Sequence, residues 1–444
     1  MSDRPGSVET TGIEHIQPQN RHGSPGRVFT LWFAANLTVA DYVIGVLCVQ
    51  AFGLTVLQSI PVLLAGNVLG GLLLGLSAAM GPKLGFPQMM SSRSSFGQRG
   101  NYLFGGLNWV STAGWFTVNT ILGVEAVQAV YPGANFVISA AALVTLQMVI
   151  AVYGHDFIHL FEKAMSLILG LLFIGVFLLA IPKLGAAVAF VPSGGSSGFP
   201  AWGAVGVGLA TSFSYLMSWS PYASDYSRYL PVSVSGKRVA LFAMIGGGAA
   251  SFAVETIGAL VGSVTPAIGF FQALDGFAGS FGWLAIAAII LGAMAANALN
   301  IYTNALSLLV LDIRVRRWMA VVAGGAVGFV LSVIGQGNFV TNYQNFLFVL
   351  DYWITPWLGI ILVDYFLAKR ATVEGVASAR FWDWTALSVY LAAVIVSVPF
   401  MVPSLPLGFP FGSLAYLFGK ADFSYFISFF VAVALTILVR RRAR

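Results

Sequence analysis

The sequence predicts an all-α integral membrane protein that crosses the bilayer twelve times, with both ends on the cytoplasmic side. Of the 444 residues, 58% are hydrophobic and 9% charged, and the mean hydropathy is +0.85. A soluble chain of this length carries far more charge. The apolar runs are also long and unbroken, unlike the short alternating segments of a membrane β-barrel. The basic residues, finally, gather on alternate loops.

Crossing ~30 Å of hydrocarbon takes roughly 20 apolar residues. Such runs lie at 29–52, 55–80, 101–130, 134–153, 158–181, 201–222, 239–264, 282–311, 318–336, 340–367, 384–402 and 423–439. Residues 1–27 are polar, with prolines and mixed charge, and read as a disordered cytoplasmic tail. The run beginning near Phe29 has no small-residue cleavage site beside it, so it reads as a retained span.

With the N-terminus inside, the cytoplasmic basic residues are Arg4, Arg21, Arg27, Lys83, Arg93, Arg99, Lys163, Arg228, Lys237, Arg238, Arg314, Arg316, Arg317, Lys369, Arg370, Arg380, Arg440, Arg441, Arg442 and Arg444. They are 20 of the 22 in the chain, leaving only Lys183 and Lys420 outside. This is the positive-inside pattern, and it fits an even number of spans in a plasma or inner membrane. It also accounts for the net charge of +6 without a nucleic-acid partner. The single Cys48 excludes an internal disulfide framework. A monomer is the default expectation.

Segments one and six share an unusual texture. The first reads WFAANLTVADYVIG (32–45), with Asn36, Thr38 and Asp41 inside an apolar stretch. The sixth reads TSFSYLMSWSPYASD (211–225), with several serines, Trp219 and Pro221. Polar clusters and helix breakers five segments apart suggest two inverted five-helix repeats, each opening with an interrupted helix. The repeats would span 28–181 and 201–367, with two further helices and a basic tail over 384–444. Small-residue pairs Gly66/Gly70, Gly71/Gly75 and Gly258/Gly262 suit close helix packing.

Catalytic signatures are missing: there is no HExxH, GxSxG or CxxC, and Gly236-Lys237 lacks the rest of a phosphate loop. His155 and His159 have the i, i+4 spacing of a metal site beside Asp156 and Glu162. They read more simply as the solvated start of segment five. No cofactor or metal is expected, and nothing argues for an enzyme.

The polar groups at membrane depth carry the functional reading, because they are expensive there. In NWVSTAGWFTVNTILGVE (108–125), Trp115 and Asn119 lie one turn apart on one helix face. An aromatic plate beside an amide would cradle a flat, polar heteroaromatic solute. The alternative is a packing Trp with an Asn bonded to a neighbouring helix, and spacing does not choose between them. Segment eight adds Asn297, Asn300 and Asn304. Asp41, Glu255 and Asp351 lie well inside segments, with Glu125 nearer an outer end. Asp41, at the expected break of segment one, is the first candidate for a proton or ligand site. The other acids read as structural groups, and Glu162 with Lys163 as an interfacial pair.

Four stretches together are similar to the nucleobase:cation symporter-1, or purine–cytosine permease, family. They are GNVLGGLLLGLSAAMGPKLGFPQMMSSRSSFGQRG (66–100), AGWFTVNTILGVEA (113–126), SWSPYASDYSRYLP (218–231) and NALNIYTNALSL (297–308). The resemblance implies a leucine-transporter-type fold, with alternating access around a midplane site between the broken helices. It implies that Trp115 stacks on the substrate and that Asn119 and Asn300 bond to it. The family's sixth-helix ring falls at Leu216, so Tyr215 or Trp219 would substitute. Asn rather than Gln at 119 is closer to the purine–cytosine branch than to the hydantoin or allantoin branch. Sodium-coupled members carry hydroxyl residues where this chain has Met294 and Ala295, so the resemblance favours a proton, with Asp41 or Glu162 titrating. The expected function is import of cytosine or a purine base with a proton. A sodium-coupled carrier of allantoin, hydantoin or a thiamine precursor is the alternative within this class; a passive channel or membrane enzyme is the alternative outside it.

Overall fold

The structure, a computed structural model, describes residues 9, 11–193, 195, 201–264, 270–337, 339–402, 408–419 and 421–442. Among these residues there is no β-strand, and the helices follow the apolar runs closely. They are α1 (Pro25–Ala35), α2 (Val39–Gln50), α3 (Val56–Ala78), α4 (Asn101–Val130), α5 (Phe136–Tyr153), α6 (His155–Ala180), α7 (Trp202–Met217), α8 (Ala223–Ser227), α9 (Gly236–Val264), α10 (Gly282–Val310), α11 (Arg317–Gly335), α12 (Phe339–Leu362), α13 (Trp384–Ser397) and α14 (Ser424–Arg442). Among the described residues, eight helices are long and apolar enough to cross a membrane unaided, and the bent pair α1–α2 makes nine. The chain is a multi-pass membrane protein. Residues 194, 196–200 and 403–407, between the spans, and Lys420 fall outside the described residues.

Segments one and six are both interrupted. α1 and α2 meet at 54°. At that corner Asn36 donates to the carbonyl of Trp32 (2.7 Å) and accepts from the Trp219 indole (2.9 Å) and Ser251 (3.3 Å). An amide thus occupies backbone and side-chain groups that the lost turn would strand in hydrocarbon. Pro221, which has no N–H to give, sits between α7 and α8, where Ser218 donates to the carbonyl of Tyr215 (2.6 Å).

The helices pack in two main groups. α9 lies against α1, α2 and α3, with α7 on α3; α10 lies against α4, α5, α6 and α11. α12, α13 and α14 form a flanking set. Glycine permits the closest crossings: a Cβ at Gly258 would stand 2.1 Å from the carbonyl oxygen of Tyr42, and one at Gly292 would stand 2.3 Å from that of Leu37. The backbone of α10 therefore rests directly on the α1–α2 corner.

The described part of the tail is packed rather than disordered. Arg21 is buried and donates to the carbonyls of Ile16 (2.8 Å) and Pro82. The main-chain N–H of His22 donates to Tyr229 (2.6 Å), and Arg228 donates to the carbonyl of Gly12 (2.8 Å). The Glu9 carboxylate accepts from Tyr229, Tyr302 and the N–H of His155, beside Arg317 at 3.9 Å. Few of these contacts are apolar, so hydrophobic content did not foretell them. His155 and His159 are buried by this layer instead of solvated.

Candidate functional site

Trp115 lies on the inner face of α4, only 4% exposed. Rings from two other helices close around it: Tyr215 of α7 and Phe346 of α12, each 5.2 Å between centroids, and Tyr343 of α12 at 6.1 Å. All three meet the indole edge to face, at 87°, 78° and 73° respectively. None stacks flat on it. Gly114 makes the α12 contact possible, because a Cβ there would fall 2.4 Å from the Phe346 ring. The indole Nε1 is buried with no hydrogen-bond partner in the protein.

One turn along α4, Asn119 enters a knot of amides. Its Nδ2 donates to Asn297 Oδ1 (3.3 Å), and Asn300 Nδ2 donates to the same oxygen (3.2 Å). Asn297 Nδ2 faces the carbonyl of Phe116 (3.0 Å), Thr120 Oγ1 (3.2 Å) and Gln147 Oε1 (3.2 Å). Asn300 Oδ1 accepts from the Tyr222 hydroxyl at the α7–α8 break (3.1 Å). The amide orientations follow from this network. It leaves Asn119 Oδ1, Gln147 Nε2 and the Ser220 hydroxyl buried without protein partners. A buried polar atom left unpaired costs ~1–3 kcal/mol unless something binds it. The site therefore offers an indole donor and an amide acceptor one helical turn apart.

The remaining expected residues divide. Tyr215 is brought to Trp115, and its hydroxyl meets Thr38 Oγ1 (3.0 Å). Trp219 is not: it packs on Trp32 (5.4 Å) and Tyr222 (5.2 Å) and is tied to Asn36. Asp41 is fully buried in the first turn of α2, and its Oδ2 accepts from Thr38 (3.3 Å). The structure thus links Asp41 to Tyr215 through one hydroxyl. Glu162 of α6 is fully buried with neither carboxylate oxygen partnered, so it forms no pair with Lys163. Asn304, on the other side of the amide run, bonds instead to Thr112 (2.9 Å) and the carbonyl of Trp109 (2.8 Å).

Sequence reasoning missed Gln147, Ser220, Tyr222, Tyr343 and Phe346. The first four carried a signal, a polar atom in an apolar run; Phe346 carried none, since its role arises only from the crossing of α12 over α4.

The family model described as permeases for cytosine/purines, uracil, thiamine and allantoin matches residues 15–431. The chain belongs to this permease family. A putative purine–cytosine permease of Bacillus subtilis is 28% identical over 98% of the permease and 97% of that relative. A purine–cytosine permease of Saccharomyces cerevisiae is 27% identical over 87% of the permease and 76% of that relative. Among solved structures, a nucleobase–cation–symport-1 family transporter, closed with bromovinylhydantoin bound, superposes with a TM-score of 0.78. It shares 20% identity, and the match covers 99% of the permease and 95% of that transporter. The fold is the leucine-transporter type. The permease is a transporter of nucleobase-type small molecules, not an enzyme.

Proposed function

We propose that the permease imports a purine or pyrimidine base together with a proton, by alternating access across the inner membrane, with both termini cytoplasmic. The observation that carries this reading is the pairing of Trp115, whose indole has no flat stacking partner, with the unpaired Oδ1 of Asn119. A planar base would stack on the indole, an interaction worth ~1–3 kcal/mol. Its amino or ring N–H would satisfy Asn119. Asn300 and Tyr215 complete the pocket. Asn300 reaches the α7–α8 break through Tyr222, so base binding and closure of that break share a residue.

The composition of α10 supports the proton. From 282 to 302 it contains no Ser, Thr, Asp or Glu, yet this is the stretch that rests on the α1–α2 corner at Gly292. Sodium needs hard oxygen ligands, and here the side chains present are those of Met294, Ala295 and Ala296. Asp41 and Glu162 are the carboxyls that would take up the proton instead. The basic residues crowded on one face support a cytoplasmic position for that face.

A competition panel tests the reading: labelled cytosine uptake against unlabelled adenine, hypoxanthine, uracil, allantoin and hydantoin, with and without an uncoupler. Competition by bases and loss of accumulation with the uncoupler are expected. Preferential competition by hydantoin or allantoin, or accumulation that needs sodium, would overturn it.

A further inference from the structure

We propose that Glu255 and Asp41 form one proton site, and that α7 links this site to the base pocket. The proposal rests on the proton-coupled reading above and adds a residue, Glu255 of α9, that the sequence presents only as structural.

The two carboxyls stand on helices in backbone contact. Gly45, one turn beyond Asp41 on α2, lies so close to α9 that a Cβ would be 1.8 Å from the carbonyl oxygen of Glu255. Both side chains are fully buried. Each is held by donors on one oxygen and has none on the other. Glu255 Oε2 accepts from Asn67 of α3 and from Ser212 of α7 (2.9 Å), whereas Oε1 is unpaired. Asp41 Oδ2 accepts from Thr38, whereas Oδ1 is unpaired.

Other ionisable groups in the neighbourhood are Tyr42 and Cys48 on α2, Tyr215 on α7, and Tyr343 on α12. Among the described residues no lysine, arginine or histidine acts on either carboxyl. Two anions on contacting helices in hydrocarbon without a counter-cation repel and lose their hydration. A proton on either carboxyl removes the repulsion. The open oxygens are where it would sit, and one O–H forms or breaks per proton exchanged.

α7 joins this pair to the substrate. Ser212 and Tyr215 are three residues apart and share a helix face. Ser212 holds Glu255; Tyr215 meets Thr38, which holds Asp41. The ring of Tyr215 then lies against Trp115. A change of charge at the pair therefore acts on the helix that carries an aromatic wall of the base pocket, just before its break at Ser218–Tyr222. By reciprocity, base binding must change the affinity of the pair for its proton.

The experiment is base-driven proton uptake by the purified, unaltered chain in weakly buffered detergent with a pH-indicator dye, titrated with cytosine and with adenine. About one proton per base is expected. Glu255→Gln should bind and exchange base with an affinity within about threefold of the unaltered protein, but lower proton uptake about tenfold or more. In proteoliposomes it should equilibrate base without accumulating it. Should Glu255→Gln not fold, Ser212→Ala removes one donor from Glu255 and leaves both carboxyls. Its base affinity should then respond differently to pH, and an unchanged pH profile would count against the link. Proton uptake by Glu255→Gln equal to the unaltered protein would overturn the pair while leaving proton coupling standing. Absence of proton uptake in the unaltered protein would overturn proton coupling, and the pair with it.

Discussion

The amide knot between α4, α5 and α10 and the carboxyl pair between α2 and α9 are both buried polar clusters, but they are finished differently. In the knot, Asn297 is hydrogen-bonded at both ends and fixes the orientation of Asn119, Asn300 and Gln147. Two open atoms, Asn119 Oδ1 and the Trp115 indole nitrogen, belong to residues of one α4 face. In the carboxyl pair each member keeps an open oxygen, and both members carry a charge that depends on protonation. A neutral, cross-braced network holds a shape; a pair of acids holds an amount of charge. The first suits recognition, where pre-set geometry lowers the entropy of binding. The second suits coupling, where an event must change an energy at a distance.

Substitutions that break this contrast rank by how much of either cluster they remove. Trp115→Ala deletes the stacking surface, and the affinity for base, read by isothermal calorimetry, should fall about tenfold to a hundredfold, the equivalent of ~1–3 kcal/mol. Gly45→Ala drives a methyl into the backbone of α9. It should lower stability by ~1–3 kcal/mol in a detergent thermal-shift assay, and unchanged melting would mean that the α2–α9 contact is looser than described. Asn297→Ala frees Asn119 to rotate, so base affinity should drop by about tenfold although Asn297 need not touch the base. Asn119→Ala should alter which bases compete; an unaltered order of competitors would remove it from the recognition edge.

The smallest effect lies outside both clusters. His22 Nε2 donates to the Asp156 carboxylate at 2.9 Å, and that hydrogen bond holds the imidazole pKa above its usual value. A histidine whose pKa rises on docking stabilises the docked state below its free pKa of about 6.5, and loses that contribution as pH rises through the raised value. The half-exposed pair is screened by solvent. Limited proteolysis of the tail should therefore be slowest below about pH 6.5 and quicken modestly above it; His22→Ala should abolish the change.

Much of this was legible in the sequence. α4 runs Asn101–Val130, as its apolar run predicts, and the one-turn spacing of Trp115 and Asn119 placed them on one face. Asn36 and Pro221 marked both breaks, because a stranded backbone group in a membrane needs an amide or a missing donor beside it. Other features depend on which helices cross, which no period encodes. Glu255 reads as an isolated acid until Gly45 brings α2 onto α9. Phe346 reads as an ordinary apolar residue until α12 brings it to Trp115. Trp219 had the right residue type for the pocket wall, but the break turns it toward Asn36 and Trp32. The tail reads as disordered because its binding energy is in backbone carbonyls meeting Arg21, Arg228 and Arg317, which composition does not count.

Proton-driven base transport is tested most directly in proteoliposomes loaded at neutral pH and diluted into acidic, sodium-free buffer containing labelled cytosine or adenine. The account predicts transient accumulation above the external concentration, abolished by an uncoupler and by Trp115→Ala. Uptake that stops at equilibrium, or that rises above it only when sodium is added, would contradict it.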